Sequence, residues 1–157
     1  MKRISRTNYF MTMAVLASLR STCLSRQVGA VVTHNNRVVS IGYNGPPPNY
    51  PHCETCRRKD LLYRPGRNLD VCPAIHAEAN AVIQATKGDT LYTTDQPCTT
   101  CLKMILTTDI KRIFYLRDYP SSSMRHSLLK ESYVEEIEWK IPSELILKLI
   151  AKQISKM

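Results

Sequence analysis

His76-Ala77-Glu78, followed further along by Pro97-Cys98-Thr99-Thr100-Cys101, constrains this chain more than any other feature. His76, Cys98 and Cys101 offer one imidazole and two thiols, three zinc donors and one short of a closed tetrahedral site. If they share an ion, the fold must carry two separate segments to one point. The unfilled fourth position is where a catalytic zinc holds water. In a helix beginning near His76, positions i and i+2 do not share a face, so Glu78 is read as a proton carrier rather than a fourth ligand. Pro97 suits the first turn of a helix, where its missing N–H would have no partner. Cys98 and Cys101 then fall at i and i+3, and the helix N-terminus favours their thiolate forms. A pair of inert buried cysteines, or a redox C-x-x-C, is the plainer reading, and His76-Ala77-Glu78 upstream argues against it.

The order H-x-E…P-C-x-x-C is the signature of zinc-dependent nucleobase deaminases. The chemistry explains why. Replacing the amine at C4 of a cytosine ring needs a hydroxide-like nucleophile at neutral pH, and zinc lowers the pKa of water from about 15.7 toward about 7. A proton must then reach the ring and another the departing ammonia, and one carboxyl can carry both. Glu78 is the acid placed for that task.

With 157 residues the chain is expected to form a single domain, 1–157, that buries its own core without covalent staples. No apolar run is long enough to span a membrane, and residues 1–9 are polar and basic, unlike a signal-peptide core. A cytoplasmic protein is expected. In a reducing compartment six cysteines point to metal or catalysis rather than to disulfides. The formal charge is +9, and two zinc sites, one with two thiolates and one with four, would lower it to about +7. Lys and Arg are scattered rather than massed into a tail. The charge is therefore read partly as solvated surface and partly as attraction for a phosphorylated small molecule, with neither nucleic acid nor membrane as the expected partner.

Residues 5–20 place Phe10, Met13, Ala14, Leu16 and Ala17 at helical spacing. Two β-rich segments, 28–33 and 37–43, flank the turn cluster His34-Asn35-Asn36 and predict a hairpin. Residues 44–71 form a long Pro- and Cys-bearing excursion. Helices are predicted over 76–87, with Ala77, Ala81, Val82, Ile83 and Ala85 as the apolar side, from Cys98 to 108, over 123–132 and from Pro142 to 154. Strands are predicted over 90–94, 111–116 and 133–139. The alternation argues for a layered α/β domain with a mixed sheet.

Taken in order, Arg20-Ser21-Thr22-Cys23, Val28-Gly29-Ala30-Val31, Gly42-Tyr43-Asn44-Gly45, a Cys-bearing insertion at 44–75, His76-Ala77-Glu78 and Pro97-Cys98 to Cys101 resemble the deoxycytidylate (dCMP) deaminases, cytidine deaminase-like zinc hydrolases. The likeness runs from about Arg3 to Trp139. It implies a three-layer α/β/α cytidine deaminase-like fold with a five-stranded mixed sheet. The implied reaction is hydrolysis of dCMP to dUMP and ammonia, which supplies dUMP for thymidylate synthesis. It further implies a homo-oligomer, hexamer or dimer, with dCTP and dTTP as effectors. By the same resemblance Asn44 would bind the sugar hydroxyl, although an Asn before Gly45 also suits a plain turn. Arg26 is the candidate for the phosphate, which a guanidinium can hold through two parallel hydrogen bonds. Tyr119 is a candidate to stack or hydrogen-bond near the nucleotide.

Cys23, Cys53, Cys56 and Cys72 remain, with His52 beside Cys53. Four cysteines are what a closed structural zinc site needs, and so long a structureless loop inside a compact domain needs something to organise it. A second zinc on these four is expected, with His52 as an alternative ligand. Other functions stay open at this point. A tRNA adenosine deaminase shares both motifs, and the long insertion speaks against it. A riboflavin-pathway or other nucleotide deaminase, and a non-enzymatic zinc module that leaves Glu78 without a purpose, complete the alternatives.

Overall fold

A computed structural model describes residues 3–64, 68–120 and 122–155. Residues 1–2, 65–67, 121 and 156–157, which belong to the expected span of 1–157 and in part to the insertion, lie outside the described residues. Chain order is α1 (Arg6–Ser18), β1 (Gly29–His34), β2 (Arg37–Tyr43), α2 (Arg57–Asp60), α3 (Ala77–Gln84), β3 (Thr90–Asp95), α4 (Thr99–Ile105), β4 (Arg112–Arg117), α5 (Ser123–Lys130), β5 (Glu135–Glu138) and α6 (Ser143–Ile154). A single 3-10 turn, Leu69–Val71, lies in the insertion.

The hairpin forms because Asn35 and Asn36 accept positive φ, 51° and 60°, which matches the twist of a two-residue turn between β1 and β2. β1 also pairs antiparallel with β3, and β3–β4 and β4–β5 are parallel, giving the order β2-β1-β3-β4-β5. The two parallel pairs require crossovers, supplied by α4 and α5. The mixed five-stranded sheet between helices is the expected fold. None of the described helices is long and apolar enough to cross a membrane.

The central strands β1, β3 and the middle of β4 are buried on both faces. One face packs Ala30, Val32, Leu91 and Ile113 against Ala77 and Ala81 of α3 and Leu102 and Ile105 of α4. The other packs Val31, Tyr92 and Phe114 against Phe10, Met11 and Ala14 of α1. Tyr92 stacks on Phe114 at 5.2 Å, and Trp139 closes the row edge-on at 5.8 Å while its Nε1 donates to Asn8 Oδ1 at 2.9 Å. The apolar faces depart from expectation at single positions. In α1 it is Met11 that is fully buried, and Leu16 is 53 % exposed, because the buried stripe follows 10, 11, 14, 17 and 18. In α3 the helix ends at Gln84 and leaves Ile83 exposed, since Ala85 turns to extended backbone to lead toward β3.

Two features set α3 where the site needs it. The insertion leaves and returns through a two-residue bridge, Gly45 and Ile75 exchanging N–H···O bonds at 3.2 and 2.9 Å. Its ends are therefore adjacent, and closing so long a loop costs little more entropy than closing a short one, because the cost grows only with the logarithm of its length. Gly42 in β2 sits directly under α3: a Cβ there would lie 2.2 Å from Ala77 O and 2.5 Å from Ala81 N. Gly42→Ala is expected to wedge α3 off the sheet and lower the unfolding free energy by about 1–3 kcal/mol, the usual cost of overpacking. Urea unfolding of the variant measures this, and parental stability would mean that α3 is not seated on β2 as described.

Candidate active site

His76 and Cys98 are both N-cap residues, of α3 and α4. The sequence puts Pro97 at the start of the helix. Instead it precedes the cap, because the Cys98 sulfur itself accepts from the backbone N–H of Cys101 at 3.5 Å, which an N-cap side chain must do. Three residues separate the end of β3 from the start of α4, so α4 opens at the carboxyl end of β3, the usual position of sites in open α/β folds. There His76 Nδ1 lies 3.5 Å from Cys98 Sγ and 3.4 Å from Cys101 Sγ. Among the described residues this is the one group of three or more His, Cys, Asp or Glu whose ligand atoms all fall within 4.8 Å of one another. One imidazole nitrogen and two sulfurs fit zinc, and three protein donors leave a position open.

The electrostatics agree with that donor set. Hydrogen bonding from Cys101 brings the Cys98 thiol down to about 4, while Cys101, which holds the proton and is buried beside Cys98, is pushed far up. The Cys98 sulfur also raises His76 above the ordinary imidazole range, against the effect of burial. Zinc ligation displaces these protons, since the metal takes thiolates and neutral imidazole.

Glu78 occupies the second position of α3, is 4 % exposed, and sets its Oε2 4.0 Å from Cys101 Sγ. Burial pushes its carboxyl up to about 7. A carboxyl that exchanges its proton near neutrality, touching the metal donors without being one of them, has the properties of a general acid–base.

A cavity of about 290 Å³ opens over Glu78, His76 and Cys98, and Asn44, Arg26 and Tyr119 all line it. The structure thus brings Glu78, His76, Cys98, Asn44, Arg26 and Tyr119 to one cavity, with Cys101 behind His76, and two of them are already engaged within the protein. Asn44 is 7 % exposed, and its Oδ1 accepts from Ser21 Oγ and Val28 N while its Nδ2 donates to Arg26 O. One amide N–H remains for a ligand, and the rest of the side chain fastens the α1–β1 connection. Arg26 is paired with Asp95 at 2.9 Å and lies over the Tyr119 ring at 5.9 Å. Arg58, Lys59 and Tyr63 of the insertion form the opposite wall, which spacing alone did not suggest.

Cys23, Cys53, Cys56 and Cys72 line a neighbouring cavity of about 300 Å³, together with His52. All four are free thiols. Desolvation, and next the charges of Cys72, Cys23 and Cys56, raise the Cys53 thiol, so the four sense one another. Their sulfurs are not gathered as tightly as the His76 group.

Residues 4–117 match the family model for the cytidine and deoxycytidylate deaminase zinc-binding region. The chain is 38% identical over 149 residues to a protein of Schizosaccharomyces pombe named deoxycytidylate deaminase, covering 90% of this chain and 46% of that one. It therefore spans about half the length of that relative. A protein of the same name from Mycobacterium phage D29 is 37% identical over 127 residues, which are 75% of this chain and 99% of the phage protein. Among solved structures, the dCMP deaminase of cyanophage S-TIM5 in complex with dCMP and dUMP superposes with a TM-score of 0.71 at 25% identity, over 88% of this chain and 100% of that one.

Asp95 is the member of the site that the sequence reading passed over. Its carboxylate is 3 % exposed and accepts from Arg26 at 2.9 Å and from Arg117 at 2.5 Å, with Thr94 Oγ1 at 3.1 Å. The available signal was an acid at a strand end directly before Gln96-Pro97-Cys98, but its partners are 69 and 22 residues away. Asp95→Asn is expected to lower stability by about 1.5–3 kcal/mol, the contribution of hydrogen bonds to a charged group. Chemical denaturation reads this directly; an unchanged midpoint would mean that the two arginines are held by other contacts.

Proposed function

Because the chain belongs to the cytidine and deoxycytidylate deaminase zinc-binding family, we propose that it is a hydrolase that deaminates dCMP to dUMP and ammonia, supplying dUMP for thymidylate synthesis. The observation that carries the reading is the placement of Glu78 against His76, Cys98 and Cys101 at the floor of a cavity walled by Arg26, Arg58 and Lys59. The cationic wall suits a phosphorylated nucleotide better than a neutral nucleoside. Arg26 supplies the guanidinium for the phosphate, Asn44 its remaining amide N–H for the sugar hydroxyl, and Tyr119 a ring edge beside the base.

His76, Cys98 and Cys101 would hold the zinc, which supplies the Lewis acidity that lets water act as a nucleophile near neutral pH. Glu78 accepts a proton from the attacking water as oxygen bonds to C4 and delivers it to N3 of the ring. It then carries the second water proton to the exocyclic nitrogen. The C4–N bond breaks, ammonia leaves, and the C4 carbonyl of dUMP remains. Burial keeps the Glu78 carboxyl close to the pKa such shuttling requires.

A second zinc on Cys23, Cys53, Cys56 and Cys72, with His52 as an alternative donor, is part of the same proposal, supported by their shared cavity. It would stiffen the insertion that carries Arg58 and Lys59. Exposed Ile41 and Tyr43 on the edge strand β2, with Ile83 of α3, support self-association into a homo-oligomer. Regulation by dCTP and dTTP belongs to the proposal through the family resemblance, and a cytoplasmic setting through the polar, basic first residues and the cysteines read as metal ligands. Ammonia release compared across dCMP, CMP, dCTP, deoxycytidine and a tRNA anticodon stem tests the substrate. The highest kcat/KM is expected for dCMP, and fastest release from the tRNA stem would overturn the assignment.

Glu78→Gln is expected to keep its metal and lose at least about 10²–10⁴-fold in turnover, the range for general acid–base catalysis. A metal-loaded variant that keeps more than about a tenth of the rate would remove Glu78 as the proton carrier. Elemental analysis of protein purified without chelator is expected to give about two zincs per chain, and a Cys56→Ser, Cys72→Ser double variant about one, with new proteolytic cuts in residues 44–71. One zinc in the parent, with that segment already protease-resistant, would sink the second site.

A further inference from the structure

Arg125 of α5 is 2 % exposed and heads the fully buried side chains in size. Its Nε donates to the carbonyl of Pro97 at 2.8 Å, and its Nη2 is paired with Glu136 of β5. The other oxygen of Glu136 accepts from Gln96 Nε2 at 3.3 Å. On the far side of Cys98, the Oγ of Ser122, which caps α5, lies 3.0 Å from the Oγ1 of Thr99. Gln96, Pro97 and Thr99, the residues that flank Cys98, are thus each tied to α5 or β5.

Stability alone does not explain a fully buried arginine paired with a largely covered glutamate at this place. An apolar pair of equal volume commonly does as well as a buried ion pair, or better. A metal donor, in contrast, must be held within about 0.2 Å of its bonding distance, and hydrogen bonds behind the ligands provide that. Cys98 caps α4 through its own sulfur, so any slip of the Pro97 carbonyl moves the donor atom. Arg125 and Glu136 both lie beyond residues 4–117, the segment matched by the family model.

We propose that Arg125 and Glu136 are positioning residues of the metal site, which hold the Gln96–Pro97 backbone so that Cys98 presents its sulfur beside Cys101 and His76. The proposal rests on the reading of those three residues as zinc ligands.

Two variants of the full-length zinc protein test it. Arg125→Lys keeps a positive charge facing Glu136 and loses the Nε donor to Pro97. The double variant Arg125→Met, Glu136→Leu removes both charges, so none is left buried and unpaired. The measurements are the rate of zinc release to a chromogenic chelator, the sulfur-to-metal charge-transfer band of cobalt-substituted protein, and kcat and KM for dCMP. Both variants are expected to release zinc roughly 10–100-fold faster, the usual effect of losing a ligand's supporting partner. The cobalt band should shift or weaken, and kcat should fall while KM changes less than about threefold. Parental release rates and an unchanged cobalt spectrum in either variant, folded by circular dichroism, would overturn the positioning role. Should the double variant not fold, Arg125→Lys decides by the same two readings. Parent protein that binds no zinc or cobalt would overturn the ligand reading itself, and the positioning role with it.

Discussion

His76 Nδ1 comes to 3.5 and 3.4 Å from two cysteine sulfurs because the N-termini of α3 and α4 meet beyond the end of β3. Nearly every other feature of the molecule bears on that meeting. Antiparallel β1 and parallel β4 hold β3 on either side, so the start of α4 is placed by the sheet rather than by a loop. Gly42 allows α3 to approach β2 more closely than any side chain would permit. The α4 start carries partial positive charge, which favours a thiolate at Cys98.

The convergence is then stiffened from three distant parts of the chain. Asn44 ties the α1–β1 connection to the end of β2, with the bridge of Gly45 and Ile75 immediately beyond it. Asp95 gathers Arg26 and Arg117 at the cavity rim, which buries the acid and leaves the cations partly exposed. Arg125, paired with Glu136, donates to the Pro97 carbonyl from the last third of the chain. In each case a buried polar group is satisfied by several partners, and an unpaired one would be costly. The polar side chains around the site are therefore each tied down by several contacts.

Much of this was legible in local pattern. The His76-Ala77-Glu78 and Cys98 to Cys101 motifs, the Asn35-Asn36 turn and the helix–strand alternation each lie within a short window; the turn and the alternation form as expected, and the two motifs fall at the starts of α3 and α4. Errors fell where a helical stripe had several phases of similar hydrophobicity. Leu16 and Met11 are both apolar and both in α1, and the sheet selects Met11. Pro97, read as the start of the helix, stands two positions before its first helical residue, Thr99, because the Cys98 sulfur is the cap, a role that depends on the chain that follows. The insertion had no periodicity to read, and its short α2 carries cationic side chains into the cavity from residues far from the motifs.

By itself the sequence determined the donor set, the acid beside it and the order of helices and strands, because each depends on residue chemistry and on spacings of a few positions. Only the tertiary structure decided that Asp95 would hold Arg26 and Arg117, that Asn44 would be largely taken up by the backbone around it, and that Arg125 would reach back to Pro97. Those contacts join residues 16 to 69 positions apart. Such pairs leave no period or local motif, since a buried charge is matched to whichever group the packing of sheet and helices brings within hydrogen-bonding distance.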